Sequence, residues 1–271
     1  MAITAKIEVK NQDLLASIQD FFRSVLQLED ISAILVPQRL PMKNVVMPTL
    51  VTDPERLEGV DPLAPYFPMN AAKIVSKLTR RPMGGKIAVV LRPCEIRAFT
   101  ELVKLKQGRT EEVVVIGLDC LGAYKNTDYL RSVGDDAAES TRGFYKSILS
   151  GTGGLDVNLA SACKACEHPI PENADILIGL LGMDTDNTLL IQSQTASGEE
   201  IIDRLGLPAL EAPAGRKAAV DALISERIAS RDKMFAETRA ATDDLEKLTI
   251  YLANCVNCYN CRVACPVCYC K

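Results

Sequence analysis

The sequence predicts an α/β protein: a mixed sheet with βαβ units, then a long helical arm and a short cysteine-dense tail. Three observations carry that reading. The apolar runs KIAVVL (86–91) and VVVIGL (113–118) have the length and composition of buried parallel strands. A helical stretch lies between them, and strand–helix–strand at this spacing is a βαβ crossover. From Arg216 to about Leu252 the chain is rich in Ala, Glu, Arg, Lys and Leu and reads as one or two long helices.

Along the chain, Asn11 to Leu28 reads as an amphipathic helix, with Leu14, Ile18, Phe21, Phe22 and Val25 on one side. AILVP (33–37) is a short strand. Residues 37–68 carry seven prolines, which predicts loop and extended chain wrapped over the surface. A helix capped by Asn70 follows through Ala71, Ile74, Val75 and Leu78, and Gly84-Gly85 breaks it. After KIAVVL, RPCEIR leads into the helix AFTELVKLKQ, and the second buried strand ends at Asp119-Cys120. A polar, glycine-rich region covers 134–154. ADILIGLLGM and NTLLIQSQ, joined by a turn at Asp184–Asn187, form a hairpin. The expected organisation is an N-terminal segment (1–60), an α/β domain (61–213), a helical arm (214–254) and the tail (255–271), with no internal repeat.

Composition narrows the function classes. The chain has 271 residues, 48% hydrophobic and 24% charged, enough to bury a core. A net charge of −4 gives no sign of a nucleic-acid or anionic-membrane surface. Tryptophan is absent and aromatics are 5%, against a base-stacking platform. No apolar stretch approaches the ~20 residues of a membrane span. The start MAITAKIEVKNQDLL lacks the pattern of a signal peptide, so a cytoplasmic location is expected.

The tail holds six of the ten cysteines: Cys255, Cys258, Cys261, Cys265, Cys268 and Cys270. The first four form C-x2-C-x2-C-x3-C-P, the bacterial ferredoxin run for iron–sulfur clusters. Three thiolates at intervals of three on a curling loop suit three corners of one cubane. Structural zinc usually takes two separated ligand pairs, often with histidine, and the only histidine is His168. Disulfides would need an oxidising compartment. The tail therefore reads as a ferredoxin-like iron–sulfur segment. Cys255, Cys258 and Cys261 share a cluster; Cys265, Cys268 and Cys270 complete it or begin another. The stop at Lys271 suggests that a longer native chain, or a partner subunit, supplies further ligands.

Cys94, Cys120, Cys163 and Cys166 form a second set. Cys94 and Cys120 follow the two buried strands, so in a parallel sheet they reach one edge, where sites of α/β proteins gather. Neighbouring strands lie ~4.8 Å apart, which puts both thiols within reach of one ion or cluster. The Cys163-Lys-Ala-Cys166 pair can supply the other two ligands of a [4Fe–4S] site. The alternative is that Cys94 and Cys120 are small buried hydrophobes.

Leu91-Arg-Pro-Cys94-Glu-Ile-Arg-Ala98, Glu101-Leu-Val-Lys-Leu-Lys-Gln107, Ile116-Gly-Leu-Asp-Cys120 and Ala174-Asp-Ile-Leu-Ile-Gly179 occur in order. Over roughly residues 60–210 this resembles the coenzyme F420 hydrogenase/dehydrogenase beta subunit family, which includes formate dehydrogenase beta subunits. The cysteine run looks like the ferredoxin-type extension of some members. The resemblance implies an iron–sulfur flavoprotein with FAD beside a [4Fe–4S] cluster, so that 61–213 binds both. It matches Cys94, Cys120, Cys163 and Cys166 to that cluster. With the tail, at least two [4Fe–4S] clusters are expected.

Flavin contacts are less legible, because no G-x-G-x-x-G follows a strand. Arg92 and Arg97 could offset cluster charge or clamp a flavin phosphate, or pair with Glu95 and Glu101 on a solvated face. The helix start at Asn70 and Lys73 could face a pyrophosphate, or be an ordinary capped surface helix. Gly151, Gly153 and Gly154 suit a phosphate loop or a flexible linker. His168 reads as a loop residue or a donor to a ligand, and Tyr259 and Tyr269 as packing around a cluster.

The expected role is an electron-transfer subunit of an anaerobic redox complex. It would link a formate dehydrogenase, hydrogenase or heterodisulfide reductase-like partner to a soluble carrier: F420, NAD(P) or ferredoxin. A flavin bridges two-electron and one-electron donors. Two alternatives remain at this point: a flavin-free iron–sulfur conduit, and a zinc-stabilised interaction module.

Overall fold

The computed structural model describes residues 3–41, 43–82, 84–134, 136–150, 158–211 and 213–267. Strands β1 (Thr4–Glu8), β2 (Ile31–Leu40), β3 (Lys43–Val51), β4 (Lys86–Leu91), β5 (Val113–Leu118), β6 (Ile176–Gly179) and β7 (Thr188–Ser193) form one sheet. Their order is β1-β7-β6-β5-β4-β2-β3. Strands β2, β4, β5 and β6 run parallel, while β7, β1 and β3 pair antiparallel with their neighbours. The α/β class and the mixed sheet are as the sequence predicts. Strands from residues 1–60 hydrogen-bond into the same sheet as those from 61–213.

The helices are α1 (Leu14–Leu26), α2 (Ala72–Leu78), α3 (Pro93–Lys104), α4 (Asn126–Ser132), α5 (Ala137–Leu149), α6 (Ser161–Lys164), α7 (Ala196–Leu205), α8 (Arg216–Thr242), α9 (Leu245–Tyr251) and α10 (Asn260–Ala264). Alternation along the central strands sorts the core onto two faces. Ala88, Val90, Val114 and Ile116 pack with Phe22 of α1, Phe144 of α5 and Ile201 of α7. Ile87, Val89, Val113 and Val115 pack with Val75 of α2 and with Ile96, Phe99 and Leu102 of α3. Each large side chain so buried contributes roughly 1.5–3 kcal/mol of transfer free energy.

Local chemistry sets the ends of these elements. Asp13 caps α1 by accepting from the Ala16 N–H at 3.0 Å, and Leu14, Ile18, Phe21, Phe22 and Val25 are buried. The predicted β6–β7 hairpin forms, its turn closed by Asn187 and Thr188 N–H groups on the Asp184 carbonyl. Asp244 accepts from the Lys247 N–H at 2.8 Å and starts α9, so the predicted helical arm is two helices.

Two expectations are corrected. The first part of the proline-rich stretch 37–68, as far as Val51, is a β-hairpin, because β2 continues to Leu40 and β3 pairs back along it, while the remainder is a 3-10 turn and loop as expected. Proline is tolerated because β3 is an edge strand and β4 pairs with β2 only as far as Leu35. Pro37 lies beyond that ladder, opposite Pro48. The polar region 134–154 contains α5, capped by Asp136 on the Ala138 and Glu139 N–H groups. Its buried residues Ala137, Thr141, Phe144 and Tyr145 form a helical stripe that the surrounding glycines obscure. Gly151, Gly153 and Gly154 lie outside the described residues. Strand β1 and helices α4 and α7 also escaped sequence reading.

No helix of the described residues is long and apolar enough to cross a membrane.

Candidate functional site

The C-terminal edge of the parallel strands carries the site. Leu91 of β4 is in register with Gly117 of β5. The chain leaves β4 through Arg92 and enters α3, with Pro93 in its first turn and Cys94 beside it. Leaving β5, it passes Asp119 and Cys120 and turns at Gly122, whose φ of +104° favours glycine.

A loop then brings the C-x2-C pair to the same edge. Residue 124 bridges to 159, and the Ala160 N–H donates to the Ala123 carbonyl at 2.9 Å. A Cβ on Gly122 would stand 3.5 Å from the Cys163 Cβ. The Cys120 N–H donates to the Pro169 carbonyl at 2.7 Å, securing the segment that follows Cys166. Gly117 lets this segment cross the sheet, since a Cβ there would stand 2.3 Å from the Pro171 Cβ and 3.0 Å from Ile96 Cδ1. Gly117→Ala is expected to destabilise the protein by about 1–3 kcal/mol through overpacking. A urea titration reads it as a fall in midpoint at constant slope.

Cys94, Cys120 and Cys163 lie close enough for their thiols to act on one another. Burial pushes the Cys94 thiol pKa up, and Cys120, Glu95 and Cys163 push it further, against Arg92. Burial also raises Cys120; Cys163 adds to that, while Arg92 and Arg227 oppose it. Cys94 retains solvent contact, whereas Cys120, Cys163 and Cys166 are half-buried. Among the described residues no three His, Cys, Asp or Glu side chains converge tightly enough for one metal ion. A cubane spreads its irons over four corners and takes thiolates at wider spacing than a single zinc does.

The surrounding groups hold this edge together. Buried Glu95 accepts from the Ala71 N–H at 2.7 Å and the Arg92 N–H at 2.9 Å, joining α2 to α3. Burial raises its carboxyl pKa, against the pull of Arg92 and those two N–H groups. Arg92 donates to the carbonyls of Ala64 at 2.8 Å and Tyr66 at 3.2 Å, and its guanidinium lies 5.1 Å from the Phe67 ring centre. Arg97 is exposed on α3. Asn70 accepts from the Ala72 N–H at 3.0 Å, and Lys73 donates to the Val263 carbonyl at 3.2 Å. The His168 carbonyl lies 3.9 Å from Cys166 Sγ.

A narrow cleft of about 20 Å³, partly open to solvent, lies on the same edge. Leu63, Leu91, Leu118 and Phe144 make it mainly apolar, with Arg92 and Cys120 in its wall. That is room for about one water molecule, far below the ~300–1,000 Å³ of ordinary ligand pockets. The walls are apolar, but the space between them does not admit a flavin ring in this conformation.

Sequence reading missed the part played by α8. Arg216 makes a bidentate pair with Asp119, at 2.6 and 2.9 Å. Asp119 also accepts from the Leu180 and Leu181 N–H groups at 2.8 and 3.0 Å. Arg227 is buried against the Cys120 and Cys166 carbonyls, and Arg231 pairs with Glu167. The spacing 216, 227, 231 puts all three on one helix face, which is the signal that could have found them.

In the tail, Asn257 and Tyr259 take left-handed backbone, with φ of 55° and 61°, and curl the cysteine run. Cys255, Cys258 and Cys261 are exposed and Cys265 is half-buried. The Lys73 contact and Val267, packed on the α2–α3 face, bring the end of the run to the sheet domain. Cys268, Tyr269 and Cys270 lie outside the described residues.

No family model matches the chain. It is 24% identical over 248 residues to the F420-dependent formate dehydrogenase subunit beta of Methanocaldococcus jannaschii, covering 83% of this chain and 64% of that protein. It is 24% identical over 254 residues to the F420-dependent formate dehydrogenase 1 subunit beta of Methanococcus maripaludis, with the same shares covered. The chain is a homologue of these beta subunits. It spans just under two thirds of their length. A chain of the F420-reducing [NiFe] hydrogenase complex from Methanosarcina barkeri has the same fold, with a TM-score of 0.62 and 15% identity. That match covers 91% of this chain and 94% of the other.

Proposed function

We propose that the chain is an electron-transfer subunit of an oxidoreductase complex of the F420-dependent formate dehydrogenase type. It passes electrons between a catalytic partner subunit and F420 through FAD and at least two [4Fe–4S] clusters. The approach of Cys94, Cys120 and Cys163 to one sheet edge, with Cys166 tied to Cys120 through Arg227, carries this reading. The names of the homologous beta subunits support the carrier and the partner class.

In this reading Cys94, Cys120, Cys163 and Cys166 hold one cluster, and Cys255, Cys258 and Cys261 hold a second. Cys265 is the candidate for its fourth ligand. A flavin, if held at this edge, would supply the conversion between the two electrons of a hydride carrier and the single electrons of a cubane. Leu63, Leu91, Leu118 and Phe144 give the cleft beside this edge apolar walls. Arg92 fixes the 64–67 loop beside it through two carbonyls. Lys73 and Val267 dock the tail against α2 and α3, shortening the path between the two cysteine sets.

The test begins with anaerobically purified protein. Iron, acid-labile sulfide and a flavin released on denaturation are expected together, and reduced F420 is expected to bleach the flavin faster than NADPH or reduced ferredoxin. Clusters without flavin would leave only the conduit. Zinc without iron or sulfide would overturn the redox reading altogether.

A further inference from the structure

Helix α8 buries a charge that no carboxylate among the described residues offsets. Arg227 is 1% exposed, and it donates to the Cys120 carbonyl at 3.2 Å and the Cys166 carbonyl at 3.5 Å. Its Nε has no acceptor, and among the described residues no carboxylate pairs with it. The two arginines on the same helix face differ: Arg216 is paired with Asp119 and Arg231 with Glu167. A guanidinium does not give up its proton inside a protein. Burying it without a counter-charge is strongly unfavourable, and a chain that folds this way needs an anion there.

The two carbonyls that Arg227 holds belong to two of the four clustered cysteines, so the anion belongs at that cysteine set. A thiolate-ligated cubane is a net anion in both oxidation states and gains one more negative charge on reduction. A buried cation beside it therefore stabilises the reduced form more than the oxidised form.

We propose that Arg227 is the buried counter-charge of the cluster held by Cys94, Cys120, Cys163 and Cys166, and that it raises that cluster's reduction potential. It is a positioning residue: its two N–H donors also tie the Cys120 turn to the Cys166 loop, fixing two ligands relative to each other. This inference rests on the cluster reading above and goes beyond it by naming what sets the potential.

The test is a redox titration of the full chain followed by electron paramagnetic resonance, with R227K and R227Q beside the wild type and C120A marking which signal is the sheet-edge cluster. R227Q is expected to shift that signal's midpoint to a more negative potential, or to lose that cluster's iron while the tail keeps its own. R227K is expected to stay near the wild-type midpoint with full iron. R227Q at the wild-type midpoint with full iron would overturn the inference and leave the cluster reading standing. So would R227K as impaired as R227Q, since charge would then not be what matters. A wild type with no signal removed by C120A defeats the cluster reading itself, and the inference with it. Should R227Q not fold, R227K decides alone: a wild-type midpoint supports the charge, and a fall overturns it.

Discussion

Cys120→Ala is expected to remove about four irons per chain, one cubane's content, while the ferredoxin run at Cys255, Cys258 and Cys261 stays filled. The specificity follows from how Cys120 is held. Its N–H is bonded to the Pro169 carbonyl and its carbonyl to Arg227, and both bonds survive loss of the sulfur. The edge therefore keeps its backbone and loses only a ligand. Because the proposed reading sets the flavin beside this cluster, flavin content is expected to fall as well. Iron and sulfide assays with resonance spectra check the first outcome, and flavin released on denaturation checks the second. Unchanged iron would reject the assignment of this cysteine set.

Asp119→Ala carries the largest expected effect on stability, about 3–5 kcal/mol, the range for breaking a buried ion pair by removing one partner. Asp119 is buried and serves three donors: the Arg216 guanidinium and the N–H groups of Leu180 and Leu181. Alanine would leave the guanidinium unpaired and both N–H groups without an acceptor. The loss also loosens the start of α8 from the sheet, and with it the placement of Arg227. Urea denaturation of the apo- and cluster-loaded protein measures the effect. Asp119→Ala combined with Arg216→Met is expected to cost less than the two single changes added together, because the stranded charge is gone. Full additivity would show that the pair is not coupled.

Legibility in the sequence tracked how local each signal is. IAVVL (87–91) and VVVIGL carry no polar side chain, so their burial between two helical layers was readable without any partner. The α1 stripe, the β6–β7 turn and the Asp244 start of α9 are likewise set by residues a few positions apart. Strand β1, with only Ala5 and Ile7 as apolar residues, exists because β7 offers it an unpaired edge. The β2–β3 hairpin looked like loop because its prolines are tolerable only at the margin of a sheet, and strand order is not a local property. Helix α5 was hidden by flanking glycines although its buried stripe is regular.

By itself the sequence determined the α/β class, the two central strands, the helical arm and the two groups of cysteines, because period, composition and spacing act over neighbouring residues. Tertiary structure alone decided that Gly117 makes room for Pro171, that Asp119 receives Arg216 from far along the chain, and that Arg227 is buried among the cysteine carbonyls. An arginine on a polar helix looks like any solvated charge until packing removes its water. Only then does the missing counter-charge become visible.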